Sequence, residues 1–254
     1  MPILSLILTF VFGAIIGSFL NAFALRYDQG ISLRSRSQCP KCHQQLSWGE
    51  LIPIISFLRQ HGKCRRCQAK ISPRYFIVEL GTGLVFALLF HHFFSPDYLF
   101  HLWELIAFSF SIILFSTLIV LALYDLKNFA FPSGLLYLFL ILSVLGLYFL
   151  DIDGFSSQRI FEGLIGALIA VPFLLISYFS RERMIGYGDG LLLLGIGAIL
   201  GLLHGLFAVA FASWIALAIY ICIKIFMKKE IVMNGEIPFG IFLALGCFIA
   251  FLFL

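Results

Sequence analysis

Apolar runs long enough to cross a bilayer recur along nearly the whole sequence. A helix of about 20 apolar residues spans a hydrocarbon core of roughly 30 Å. The pattern predicts eight spans, at 3–25, 75–94, 101–124, 134–150, 160–179, 190–203, 206–227 and 239–254. Only 12% of the residues are charged and 61% are hydrophobic, against about 25% and 45–50% in soluble domains. Too few charges exist to cover a globular surface, so a soluble enzyme is excluded, and so is a disordered chain. The expected fold is all-α: a polytopic membrane bundle of about eight transmembrane helices with one sizeable polar loop. The first span lacks a charged leading segment and reads as retained rather than as a cleaved signal.

Charge sets the orientation. Residues 26–74 hold ten basic side chains and two acidic ones, Asp28 and Glu50. Basic loops face the cytoplasm. With this loop inside and the spans alternating, sixteen of the 17 Lys and Arg fall inside and only Arg159 falls outside, beside the acidic Asp151 and Asp153. Next to a bilayer, the expected partner of the basic loop is an anionic lipid surface rather than nucleic acid. The reading divides the chain into a first helix at 1–25, a cytoplasmic loop domain at 26–74 and a transmembrane core at 75–254. No long internal repeat is visible. Glycines at spacing four, Gly13 with Gly17 and Gly197 with Gly201 and Gly205, mark close helix packing.

The loop carries Cys39, Cys42, Cys64 and Cys67 in a C-x2-C…C-x2-C pattern. Four thiolates make a closed tetrahedral zinc shell, which is structural because no position stays open for water. A pair of disulfides is the alternative, disfavoured in a reducing compartment.

Two acidic residues sit where spans meet the inner boundary: Asp125 after the third span and Asp189 before the sixth. Carboxylates so near hydrocarbon are costly and point to function. Brought together, they provide a general acid and a general base. Gly186, Gly188 and Gly190 around Asp189 allow close backbone approach. Pro238 and Gly240 break the start of the last span and leave irregular backbone. Each aspartate alone also has a plain reading, Asp125 as a partner of Lys127 and Asp189 as a helix N-cap. An aspartyl protease therefore competes with an ion- or proton-coupled transporter and with a non-enzymatic subunit of a secretion apparatus.

The sequence resembles the bacterial type IV prepilin peptidases, bifunctional leader peptidases and N-methyltransferases. Gly17-Ser18-Phe19-Leu20-Asn21 with Arg26, the cysteine tetrad, Trp48 and Glu50-Leu51-Ile52-Pro53, and Glu79-Leu80 are similar to the family's N-terminal half. Asp125-Leu126 with Pro132, Gly186-Tyr187-Gly188-Asp189, and Gly235 with Pro238-Phe239-Gly240 are similar to its peptidase half. The resemblance implies a catalytic pair of Asp125 and Asp189 and cleavage of type IV prepilin or pseudopilin leaders on the cytoplasmic side of the inner membrane. It also implies methylation of the new N-terminus with S-adenosylmethionine. Glu50 and Glu79 are candidates for the methyl-transfer step only by proximity to the loop. Gly190, Ser133 and Ile241 depart from residues frequent in the family at those positions.

Overall fold

The computed structural model describes residues 2–27, 35–94, 102–150, 157–226 and 238–253. Asp28, Asp151, Asp153 and Gly235 lie outside the described residues. The described residues form helices α1 (Pro2–Arg26), α2 (Ile55–Arg59), α3 (Arg74–Phe93), α4 (Leu102–Asn128), α5 (Ser133–Phe149), α6 (Ser157–Ala167), α7 (Ala170–Ser180), α8 (Tyr187–Phe226) and α9 (Gly240–Leu252), with a 3-10 turn at Trp48–Glu50. The all-helical class is borne out. A count of eight separate spans is not: five stretches are long and apolar enough to cross a membrane, at Ile3–Arg26, Arg74–Phe93, Leu102–Asn128, Ser157–Ser180 and Tyr187–Cys222. α5 and α9 are apolar but shorter. Many large apolar side chains face outward, Ile3, Leu4, Phe161 and Phe179 among them, as a surface against lipid requires.

Two compact units divide the chain, residues 1–97 and 98–254. In the first, α1 packs antiparallel on α3, and the glycines of α1 set the approach. A Cβ on Gly13 would stand 2.7 Å from Phe86 Cβ, and one on Gly17 would stand 2.8 Å from Thr82 Cβ. Both are closer than carbon atoms tolerate, so these positions accept no side chain.

In the second unit α8 packs against α5, α6, α7 and α9, and α4 packs against α5 and α9. Phe115 of α4 meets the rings of Phe248 and Phe251 of α9 at 5.3 and 5.2 Å between centroids. Gly166 of α6 and Gly197 of α8 meet backbone to backbone.

Two breaks have local causes. Pro172 has no N–H for the Leu168 carbonyl, which accepts from Val171 instead at 3.0 Å, and α6 ends before α7 begins. The sequence places a boundary in the sixth and seventh spans at residues 204–205. In the structure α8 is two helical segments that meet, a few residues before that boundary, across a kink at Gly201, whose φ of 71° and ψ of −175° only glycine adopts easily. The carbonyl of Ile199 before this break accepts from Arg159 Nη2 at 3.1 Å. Arg159, the lone exception to the charge asymmetry, thus serves as a helix cap.

Candidate active site and cysteine cluster

α4 ends one turn after Asp125, where Phe129 turns left-handed (φ 52°) and donates its N–H to the Asp125 carbonyl at 2.9 Å. Pro132 then starts α5. Asp125 is 5% exposed, and its Oδ2 accepts the N–H of Gly240 at 2.8 Å. Gly240 is the first residue of α9, and Pro238 and Phe239 precede the helix, so Gly240 begins the last helix and does not break it. Asp189 lies in the first turn of α8, which begins two residues earlier at Tyr187. It is therefore inside the helix and does not cap it. An anion in a first turn is favoured by the helix dipole.

The two aspartates come from positions 64 residues apart and line one cavity of about 330 Å³. Phe129, Phe131, Leu136 and Tyr137 supply an apolar wall, and the exposed Glu182 adds a third carboxylate. Phe131 was not legible as a site residue. Its ring is wedged between two glycines, one beside each aspartate: a Cβ on Gly188 would stand 2.5 Å from Phe131 Cδ2, and one on Gly240 would stand 2.5 Å from Phe131 Cζ. Gly186 lies nearest the Asp189 carboxylate, 3.3 Å from Oδ2 to a built Cβ.

The four loop cysteines converge. All four sulfurs lie within 4.8 Å of one another, and Cys39 and Cys67 are 3.8 Å apart. Zn–S bonds of about 2.3 Å in a tetrahedron place sulfurs about 3.8 Å apart, whereas a disulfide needs about 2.05 Å. All four cysteines are free thiols, so the disulfide alternative falls and the geometry fits a metal.

The cluster is built from one turn used twice, 25 residues apart. Cys39 N–H donates to Gln44 O and His43 N–H to Cys39 O. Cys64 N–H donates to Ala69 O and Gln68 N–H to Cys64 O. Leu46 pairs with Ser37 as Ile71 does with Gly62. His43 and Gln68 both take positive φ, at 56° and 58°. The repeat is ten residues long and its side chains differ outside the cysteines, so it is silent to the eye in sequence.

The N–H groups of Cys42 and Lys41 pull the Cys39 thiol down to about 6. At Cys67 the N–H of Ala69 favours the thiolate, but loss of hydration, and after it the sulfurs of Cys64, Cys42 and Cys39, push the thiol up to about 11. Four sulfurs this close ionise together only around a cation.

Glu50 and Glu79 are both engaged locally. Glu50 Oε2 accepts from the Ser47 N–H at 2.8 Å and from its hydroxyl at 2.7 Å, a capping box. Glu79 is buried in α3, and its Oε2 accepts the Ile54 N–H at 2.7 Å.

Residues 11–93 match the bacterial peptidase A24 N-terminal domain, and residues 112–222 match the type IV leader peptidase family. The chain belongs to the type IV leader peptidase family. The cysteine cluster falls in the first match, and both aspartates fall in the second. Among curated relatives, a "prepilin leader peptidase/N-methyltransferase" of Myxococcus xanthus is 40% identical over 48% of this chain and 34% of its own length. One of the same name from Klebsiella pneumoniae is 33% identical over 50% of this chain and 54% of its own length. A "type 4 prepilin-like proteins leader peptide-processing enzyme" of Escherichia coli is 43% identical over 32% of this chain and 38% of its own length. The matches thus span between about a third and about half of these family members. No solved structure matches the chain.

Proposed function

We propose that this leader peptidase family member is a membrane aspartyl endopeptidase that removes the leaders of type IV prepilins or pseudopilins. The observation that carries the reading is the placement of Asp125 and Asp189 in one cavity at helix ends. In this mechanism the ionised aspartate takes a proton from water as it attacks the scissile carbonyl. The protonated one polarises that carbonyl and delivers its proton to the leaving nitrogen. The Gly240 N–H fixes the orientation of Asp125, and Gly186 leaves the backbone before Asp189 open to an extended peptide, while Gly188 makes room for the Phe131 ring. A transporter is less well served by carboxylates at helix ends than by groups near the bilayer midplane.

The basic asymmetry of the sequence orients this cavity toward the cytoplasm in a bacterial inner membrane, with lipid around the apolar helices. Cys39, Cys42, Cys64 and Cys67 would hold a structural zinc, which ties the two turns together and has no open coordination position. N-methylation with S-adenosylmethionine is carried by the relatives' names. Glu50 and Glu79 act in this arrangement as backbone acceptors, which supports a structural role for both.

Asp125→Asn and Asp189→Asn test the reading. Asn keeps the size and hydrogen-bonding capacity but cannot exchange the proton, so either variant should lose prepilin cleavage in detergent while expression and thermal stability persist. The losses should be non-additive in the double variant. Substantial cleavage by either folded single variant removes that residue from the pair.

A further inference from the structure

We infer that the segment Trp48–Leu58, between the two cysteine turns, is seated in the headgroup–acyl boundary of the bilayer, with anionic phospholipid as its partner. The starting point is an exposed apolar face. Trp48 is 84% exposed, Ile55 60% and Leu58 57%, with Ile52 also exposed, and Trp48 is followed by apolar residues at intervals of three to four. The opposite face is anchored. Phe57 stacks on Phe76 at 5.4 Å between centroids, and the Ile54 N–H is held by Glu79.

Both anchors belong to the first two turns of α3, and this fixes the depth. α3 has 20 residues, about 30 Å at 1.5 Å per residue, which is the thickness of the hydrocarbon core with nothing to spare. Glu79 lies five residues past the start, so its level is about 7 Å along the helix from Arg74. A segment fastened at that level lies a few ångströms inside the edge of the hydrocarbon, within the depth of about 5–10 Å that interfacial segments reach, and its outward side chains meet lipid.

Part of the backbone is satisfied from within the protein, as the edge of a bilayer favours. Pro53 has no N–H, Ile54 donates to Glu79, Ile55 to Pro53 O at 2.6 Å, Ser56 to Ile52 O at 3.0 Å and Leu58 to Ile54 O at 3.1 Å. Satisfying them requires a γ-turn at Ile54, with φ 65° and ψ −55°, a strained conformation for a β-branched residue. Around the apolar face Arg59, Lys63, Arg65 and Arg66 are exposed, complementary to anionic headgroups. Tryptophan at one end and basic residues at the rim are the two signals that hold an interfacial segment.

The full-length protein carrying Trp103→Phe and Trp214→Phe, so that only Trp48 fluoresces, tests the inference in nanodiscs of phosphatidylcholine and phosphatidylglycerol. Lipids brominated high on the acyl chain should quench Trp48 several-fold more strongly than aqueous iodide. If the double variant does not fold, the difference between wild type and Trp48→Phe gives the same readout. Strong iodide quenching with no effect of bromine overturns the inference and assigns the face to a protein partner or a second copy. Quenching by bromine that is no stronger with phosphatidylglycerol than without it overturns the electrostatic part.

Discussion

Gly240→Ala puts the smallest possible change between the aspartate pair and its support. The new methyl would stand 2.5 Å from Phe131 Cζ, 2.8 Å from Phe131 Cε1 and 2.8 Å from Asp125 Oδ2. Ordinary carbon contacts lie near 3.5–4.0 Å, so about 1 Å must be found. The ring cannot supply it freely, because its other edge rests on Gly188. Asp125 then moves, and its 2.8 Å bond from the Gly240 N–H stretches. Alanine favours the helix by about 1 kcal/mol over glycine. Overpacking costs about 1–3 kcal/mol, and the weakened bond to a charged acceptor adds up to about 1.5–3 kcal/mol. A net destabilisation of roughly 0–5 kcal/mol follows from these terms, so thermal unfolding is followed beside activity. Activity suffers as well, since a displacement of about 1 Å at a reacting group costs about 100-fold. The assay is kcat/KM for prepilin cleavage in detergent, alongside thermal unfolding. Phe131→Leu shortens the ring side chain and should restore part of the loss in the double variant, a coupling that a double-mutant cycle measures. Wild-type kcat/KM in folded Gly240→Ala, or strict additivity with Phe131→Leu, would refute the wedge argument.

Cys39→Ser with Cys64→Ser should release the metal from purified protein, read by metal analysis, with methylation failing before cleavage; protein without zinc at the outset rejects the assignment. Gly166→Val should destabilise the second unit by about 3 kcal/mol, because its side chain would be driven into the backbone of Gly197 and Gly201, and unfolding in detergent measures this. The Ser47 N–H, then its hydroxyl, holds the Glu50 carboxyl below the ordinary range. The capping box therefore contributes stability above that range and loses it as pH falls through the depressed value, so the protection of amides 47–51, corrected for the intrinsic slowing of exchange in acid, should fall with pH, and not in Glu50→Gln. Engineered cysteines at 180–188 should resist labelling from outside intact cells; labelling there overturns the orientation.

Chemistry that depends on residue type was legible in the sequence. The cysteine spacing, the two aspartates and the apolar runs each state their requirement within a short window. Features that depend on who meets whom were not. Phe131 precedes a proline in a short turn and looks like filler until its ring is seen between Gly188 and Gly240, residues 52 positions apart in the chain. The break in α8 was expected beside His204, since Gly205 and Gly201 are equally permissive. The cap from Arg159 selects Gly201, and that partner lies 40 residues upstream of the carbonyl it serves. Glu79 reads as an interfacial acid because its acceptor role depends on a strained turn that no local propensity favours.

The two matching turns of the cysteine loop imply a modular construction. Each contributes two sulfurs, so neither holds a metal alone, and with the sulfurs gathered within 4.8 Å the stretch from residue 43 to 63 becomes a ring closed at its neck. A ring of this kind can change most of its contents without disturbing its clasp, because, apart from the N–H groups of Gly62 and Lys63, which donate to Phe57 O and Gln60 O, the hydrogen bonds that shape each turn stay within residues 37–46 and 62–71. Transplanting the ring from a relative adapted to a different membrane should therefore alter what the loop touches and leave metal affinity where it was.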